Sequence, residues 1–252
     1  MSQLHAVFFD LGDTLVDLRE GSGDYEARVR VRAERVFDAW VAAGAPLDVR
    51  EREAFSIRLA HDTETRYQAA VARQEGIDIY DVMAAFCAEQ DIPVDDGLVQ
   101  IGGDAYCRGM GGHAPLRPGA IELLTALNAR GLRLGVISNT IQPAHFMDEA
   151  LRRRGIAHFF AATVYSSAVR VAKPHPTIFR AGLAALGVAP EAAVYVGDRP
   201  EADVAGAHGV GMKAVLIEAA HRDDQPHTVV PDVRIRELPE LLEALPKLFS
   251  GS

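Results

Sequence analysis

The sequence predicts an α/β protein: a parallel sheet with helices on both faces, interrupted after its first strand by an inserted α-helical domain. Two observations carry this prediction. From residue 120 onward, short apolar runs alternate with amphipathic stretches of about three helical turns, the pattern of a parallel sheet covered on both sides. One further apolar run, AVFFD (6–10), stands alone near the N-terminus, ahead of a long block that contains no convincing strand. The core is therefore expected over 1–16 and 113–252, and the helical insert over 17–112.

Each element has its own reason. Residues 6–10 read as a strand because they are apolar, short and end in a polar turn. In DYEARVRVRAERVFDAWVAAG (24–44), Val29, Ala33, Val36, Phe37, Trp40 and Val41 recur at helical spacing with arginines opposite, and Gly44 ends the run. Residues 47–76 form a second helical run, 77–91 a third, and 95–110 a weaker fourth. GMGGHAPLRPG (109–119), rich in Gly and Pro, marks a boundary. Beyond it, 120–131, 143–155, 176–187, 200–209 and 237–249 read as helices. LRLGVISN (132–139), AATVYSS (161–167), AAVYVGD (192–198) and KAVLI (213–217) read as strands.

Composition narrows the function. A chain of 252 residues with 48% hydrophobic and 24% charged residues has the usage of a globular protein with a sizeable core. A net charge of −9 repels phosphate backbones, which argues against a nucleic-acid partner. It leaves room for a small anionic substrate where a metal or a few local cations reverse the field. Cys87 and Cys107 make neither a zinc site nor a disulfide framework, and point to a reduced, cytoplasmic setting. There is no leader pattern and no run of apolar residues long enough to span a membrane. Of 26 lysines and arginines only Lys173, Lys213 and Lys247 are lysines.

In an open parallel sheet the functional crevice lies beyond the carboxyl ends of the strands. Four predicted strands end in polar residues there: Asp10, Ser138–Asn139, Ser166–Ser167 and Asp198. Taken singly, Asp10 reads as a turn aspartate, and Ser138 and Asn139 as helix caps. Together they suggest a site. Asp198 and Asp203 are spaced to approach one ion, and hard carboxylate oxygens suit Mg²⁺. Asp203 equally suits a helix N-terminus. Lys173 sits in a strand-to-helix loop on the same face, where a compact ammonium suits a point-charge role beside carboxylates and phosphate. His175 reads as a cap or packing residue.

In order, the chain carries FDLGDTL (9–15), VISNT (136–140), AKPHPTIF (172–179) and VGDRPEAD (196–203). This series resembles the haloacid dehalogenase superfamily of hydrolases, over about 1–16 and 113–240. The resemblance implies a Rossmann-like core with an inserted helical cap. It implies that Asp10 is the nucleophile and forms an aspartyl-phosphate. It implies Mg²⁺ held by Asp10, the backbone carbonyl of Gly12 and Asp198, with Asp203 supporting that shell from behind. Thr14, which matches the family's threonine, Ser138, Asn139 and Lys173 are implied to bind the substrate's phosphoryl group, with Lys173 also steadying Asp10.

Gly12 departs from the pattern. The phosphatase branch usually carries an aspartate there, which protonates the leaving oxygen; here the acid stands one place later, at Asp13. A one-residue shift on a strand reverses the side chain, although glycine's freedom at Gly12 gives Asp13 a way to turn inward as the acid/base. The expected function is a Mg²⁺-dependent phosphomonoester hydrolase acting on a small phosphorylated metabolite. The acid pair Asp198/Asp203 argues against dehalogenation, and the absence of lysine from 17–112 argues against phosphonate cleavage through a Schiff base. The alternative is a catalytically weakened binding or regulatory protein on the same scaffold.

Overall fold

The computed structural model describes residues 3–18, 25–93, 95–108, 114–219 and 229–249. Six parallel strands form one sheet: β1 (Ala6–Phe9), β2 (Arg133–Ser138), β3 (Phe160–Tyr165), β4 (Ala193–Gly197), β5 (Lys213–Ile217) and β6 (Val233–Ile235), in the order β3-β2-β1-β4-β5-β6. Among the described residues β1 is followed by α1 (Tyr25–Ala42), α2 (Arg52–Ala72), α3 (Ile79–Glu89) and α4 (Asp96–Arg108). Then come α5 (Ala120–Ala129) before β2, α6 (Ala144–Arg153) before β3, and α7 (Ser166–Val169) with α8 (Pro176–Leu186) before β4. A π-turn at Pro200–Val204 leads into α9 (Ala205–His208), and α10 (Leu241–Phe249) closes the described chain.

Two details differ from the sequence-based expectation. The edge strand β6 was not anticipated, because three residues, VRI, are too few to display an alternation. Ser166 and Ser167 begin the short helix α7 instead of ending β3. Of the expected boundary at 109–119, residues 109–113 lie outside the described residues.

The apolar run of β1 is continuous because both of its faces are covered. Val7 and Phe9 pack with Leu123 and Leu127 of α5 and Leu241 and Leu245 of α10. Ala6 and Phe8 pack on the other side with Ile178, Phe179 and Leu183 of α8. Side chains alternate along a strand, so Asp10 continues the parity of Ala6 and Phe8. In register beside Phe8 stands Tyr195 of β4.

Helices α1–α4 enclose a cluster of their own. Phe55 meets Phe37, Trp40 and Phe86 edge-on, with ring centroids 5.1, 5.8 and 5.4 Å away. The Gly102–Gly103 pair lets α4 come close: a Cβ at Gly102 would stand 2.6 Å from Trp40 Nε1. Cys87 and Cys107 are buried in this cluster as free thiols, and burial pushes each pKa up to about 12.

The insert is stitched to the sheet beside the strand tips. Ile141 and Phe146, which follow β2, belong to its apolar cluster. The Ile79 amide donates to the Ile141 carbonyl (2.9 Å), and the Ala172 amide donates to the Gln74 carbonyl (2.9 Å). Arg170 pairs with Asp81 and lies 3.5 Å from Asp78. The chain's entry and exit run side by side, with Asp17 donating to Pro115 O and Arg117 to Leu15 O, both 2.9 Å. Among the described residues no helix is long and apolar enough to cross a membrane.

Candidate active site

The chain leaves β1 toward β2 and β3 on one side and reaches β4, β5 and β6 on the other, so the order reverses between β1 and β4. A crevice opens at such a switch point. Asp10 follows β1 and Asp198 follows β4, which places them on either side of it. Asp10, Asp198 and Asp203 are all buried, and each offers a carboxylate oxygen within 4.8 Å of the others.

The π-turn brings Asp203 into this group. The Arg199 carbonyl accepts from the amides of both Asp203 (2.8 Å) and Val204 (3.4 Å), a widened turn that folds Asp203 back under the strand tip. Gly197 makes the space: a Cβ there would lie 2.3 Å from Asp203 Oδ2. Both carboxylate oxygens of Asp203 have donors, Lys173 Nζ at 2.6 Å and the Arg199 amide at 2.9 Å.

Lys173 is 2% exposed, and three protein oxygens surround its ammonium. These are Asp203 Oδ1 (2.6 Å), Tyr195 Oη (2.8 Å) and Asp10 Oδ1 (3.0 Å). The Asp10 contact is an ion pair without hydrogen-bond geometry, so Asp10 Oδ1 is buried with no hydrogen bond. Burial alone would lower the lysine pKa; Asp10 and Asp203 outweigh it and hold the group above its ordinary value, charged. Tyr195 donates in turn to the Ile137 carbonyl (2.6 Å). Burial, then the nearby aspartates, raise its phenol well above the usual range, so it stays neutral.

The loop after β1 decides what the second aspartate does. Asp13 has φ +56°, the left-handed region that aspartate tolerates better than most residues. Its amide donates to Val16 O (2.7 Å), and Arg117 Nη1 holds its carbonyl (2.7 Å). Its carboxylate accepts from the Leu18 amide (3.3 Å) and is not one of the three clustered acids. The inward turn that would make Asp13 the acid/base is therefore not the one adopted; the left-handed turn aims it at the loop. Gly12 has no positive φ, and a Cβ there would meet Leu18 Cδ1 at 2.9 Å. Thr14 is fully buried and donates to Asp198 Oδ1 at 3.4 Å, so it orients an acid and presents no surface to a substrate.

At the end of β2, Ser138 is 4% exposed at the strand tip. Asn139 clamps the Lys173 backbone from both sides: its Oδ1 accepts from the Lys173 amide (2.8 Å) and its Nδ2 donates to the Lys173 carbonyl (3.1 Å). Its side chain is thus spent on placing the lysine rather than left for a phosphate. His175 Nδ1 accepts from the Thr177 amide (3.2 Å) and caps α8.

Three residues near this centre escaped sequence reasoning. Tyr195 lies inside an apolar strand and reads there as core. Arg199 directly follows Asp198, but the scarcity and compact ammonium that single out Lys173 do not mark one arginine among many. Asp10 and Asp198 outweigh burial and raise its pKa. Tyr67 of α2 feels Arg199, Asp10 and Lys173, and burial above all pushes its pKa up to about 12. No comparable signal marks it in sequence. Three insert arginines have partners of their own: Arg66 pairs with Asp62 and Glu89, Arg108 with Asp104, and Arg32 lies over the Tyr106 ring.

The donor set fits a hard divalent cation. Three buried carboxylates cluster together and two of them, Asp10 and Asp203, pair with one buried ammonium, so the group presents hard oxygens that a further cation would suit.

Comparison with known proteins identifies the family. A family model described as haloacid dehalogenase-like hydrolase matches residues 4–211. The chain belongs to that family. The hydrolase is 29% identical over 247 residues to a glyceraldehyde 3-phosphate phosphatase of Pyrococcus furiosus, covering 97% of this chain and 94% of that one. It is 40% identical over 133 residues to a phosphoserine phosphatase of Thermus thermophilus, a match that spans about half the length of each (52%). Among solved structures, a 2-haloacid dehalogenase from Pseudomonas syringae superposes with a TM-score of 0.66 at 27% identity, over 97% of this chain and 99% of that one.

Proposed function

We propose that this hydrolase is a Mg²⁺-dependent phosphomonoesterase that works through an aspartyl-phosphate on Asp10, with helices α1–α4 as its cap. The observation that carries the reading is the trio of buried carboxylates beside a charged, buried lysine at the switch point of the sheet. Small phosphorylated metabolites are the substrate class, in keeping with the phosphatases it resembles.

Asp10, Asp198 and the Gly12 carbonyl would hold the ion, and Asp203 would brace the site through Lys173. Once bound, Mg²⁺ supplies positive charge to the phosphoryl oxygens. Lys173 holds Asp10 Oδ1 and so aims the carboxylate. An Asp10 oxygen attacks phosphorus, the P–O bond to the leaving group breaks, and water later cleaves the acyl phosphate to release phosphate and restore Asp10. Asp13 is engaged by Leu18, so the leaving oxygen departs as an anion or takes its proton from water. Aryl and acyl phosphates should therefore react faster than alkyl phosphates.

The test is phosphate release from p-nitrophenyl phosphate. Release should require Mg²⁺ and vanish in Asp10→Asn. Turnover that survives EDTA or the substitution refutes the reading, and halide release from 2-haloacids would redirect it to dehalogenation.

A further inference from the structure

A tyrosine inside an apolar strand needs a reason, because a buried hydroxyl is costly unless it finds hydrogen-bond partners. Tyr195 is fully buried in β4, between Val194 and Val196. It stands in register beside Phe8, and its ring meets the Phe179 ring edge-on at 5.2 Å. Its hydroxyl donates to the Ile137 carbonyl (2.6 Å), one place beyond Val136, the last β2 residue in register with β1. The same oxygen accepts from Lys173 Nζ (2.8 Å). With its one proton given to Ile137, the hydroxyl offers the ammonium only a lone pair.

Lys173 is held at both ends. Asn139 brackets its backbone through the amide (2.8 Å) and the carbonyl (3.1 Å). A flexible four-carbon stem separates that backbone from the ammonium. Two hydrogen bonds hold the head, one to Asp203 Oδ1 (2.6 Å) and one to Tyr195. Asp10 Oδ1 stands 3.0 Å from the same nitrogen in an ion pair without hydrogen-bond geometry, so this contact does not itself fix the direction of an N–H bond. Hydrogen bonds are directional, and two of them stop rotation about Cε–Nζ. Without the tyrosine hydroxyl, Asp203 alone would hold the head by a hydrogen bond, and the ammonium could turn about that bond away from Asp10.

We propose that Tyr195 is a positioning residue of this enzyme: its hydroxyl, locked by the Ile137 carbonyl, holds the Lys173 ammonium beside Asp10 and so keeps the nucleophile aimed. The inference rests on the phosphatase reading above. The probe is p-nitrophenyl phosphate with Mg²⁺, and the variants are Tyr195→Phe, Lys173→Met and the double substitution. Tyr195→Phe keeps the ring and its packing and removes one oxygen. Release of p-nitrophenolate in the first turnover at saturating substrate should slow about 10- to 100-fold in Tyr195→Phe, the cost of a misplaced reacting group. The substrate concentration that gives half of this rate should not change, and neither should Mg²⁺ affinity, because the hydroxyl acts on the reacting geometry and not on ground-state binding. The unpaired Ile137 carbonyl lowers stability whatever the role. Denaturant melts of the four proteins in Mg²⁺ isolate the part that depends on the lysine: Tyr195→Phe should destabilise the Lys173→Met background less than the parent.

An unchanged first-turnover rate in Tyr195→Phe, with a parent that turns over p-nitrophenyl phosphate, overturns the assignment and leaves the phosphatase reading standing. Strictly additive losses of stability overturn it as well, since the hydroxyl would then act independently of the lysine. So does a slower first turnover matched by an equal loss of Mg²⁺ affinity, which would make the hydroxyl a support of the metal site. A parent that hydrolyses no phosphomonoester overturns both.

Discussion

On the proposed mechanism, replacing Gly12 by aspartate should add a general acid to the site. The structure sets the cost. Gly12 has no positive φ, so an L-residue fits its backbone without strain. A Cβ there would lie 2.9 Å from Leu18 Cδ1 and 3.6 Å from Cγ, and these are the far atoms of a side chain that is 43% exposed. A shifted leucine rotamer absorbs the contact for about 1 kcal/mol, a Tm loss of roughly 2–4 °C in a chain of this size. The benefit is larger. A positioned acid contributes about 10²–10⁴ in rate, or roughly 3–5 kcal/mol of barrier. That gain belongs to substrates whose leaving oxygen is strongly basic, because a phenolate of low pKa departs without help. The assay compares kcat for p-nitrophenyl phosphate and glycerol phosphate in the parent, Gly12→Ala and Gly12→Asp, with Mg²⁺ present. Gly12→Ala carries the steric change alone and should leave the aryl-to-alkyl ratio as in the parent. Gly12→Asp should speed the alkyl substrate at least about 10²-fold and the aryl substrate far less. A parent equally fast on both substrates, together with an unchanged ratio in Gly12→Asp, refutes the reasoning.

Two other outcomes follow from buried and partly buried charges. Lys173→Met leaves Asp10 and Asp203 without their ammonium and should cost about 3–5 kcal/mol in metal-free protein; denaturant melts should show that loss shrinking when Mg²⁺ is added, and full stability without metal would contradict the ion-pair geometry. Asp232 accepts from Lys213 Nζ (2.9 Å), the Ala214 amide (2.8 Å) and His208 Nε2 (2.8 Å), and these outweigh a partial burial that would raise its pKa, leaving it below the ordinary value. A depressed carboxyl stabilises the fold above its unfolded pKa and loses that contribution as pH falls through the folded-state value. Asp232→Asn should therefore be about 1 kcal/mol less stable than the parent near pH 7 and converge with it as pH falls through the lowered folded-state pKa; melts showing a gap that widens on acidification would reverse the sign.

Much of the architecture was legible because it depends on local pattern. The apolar runs of β1, β2, β4 and β5 each end in a polar turn, and the helical spacing of Val29, Phe37 and Trp40 needs no tertiary knowledge. The acids Asp10 and Asp198 could be found because each closes a strand. β6 escaped because its three residues pair only with β5, a long-range contact that leaves no periodic trace. Asn139 looked like a phosphate ligand because its position at a strand end is right. Its partner, the Lys173 backbone, lies 34 residues away and only the folded chain brings them together.

The sequence by itself determined the strand-tip acids, the helical insertion and the departure at Gly12, since these follow from residue order and from the period of apolar side chains. Only the tertiary structure decided where the side chains go. Asp13 turns to Leu18 because its backbone takes the left-handed conformation. Thr14 serves Asp198, and Tyr195 reaches Lys173 because parallel pairing sets β4 beside β1. Such orientations depend on contacts between segments distant in the chain.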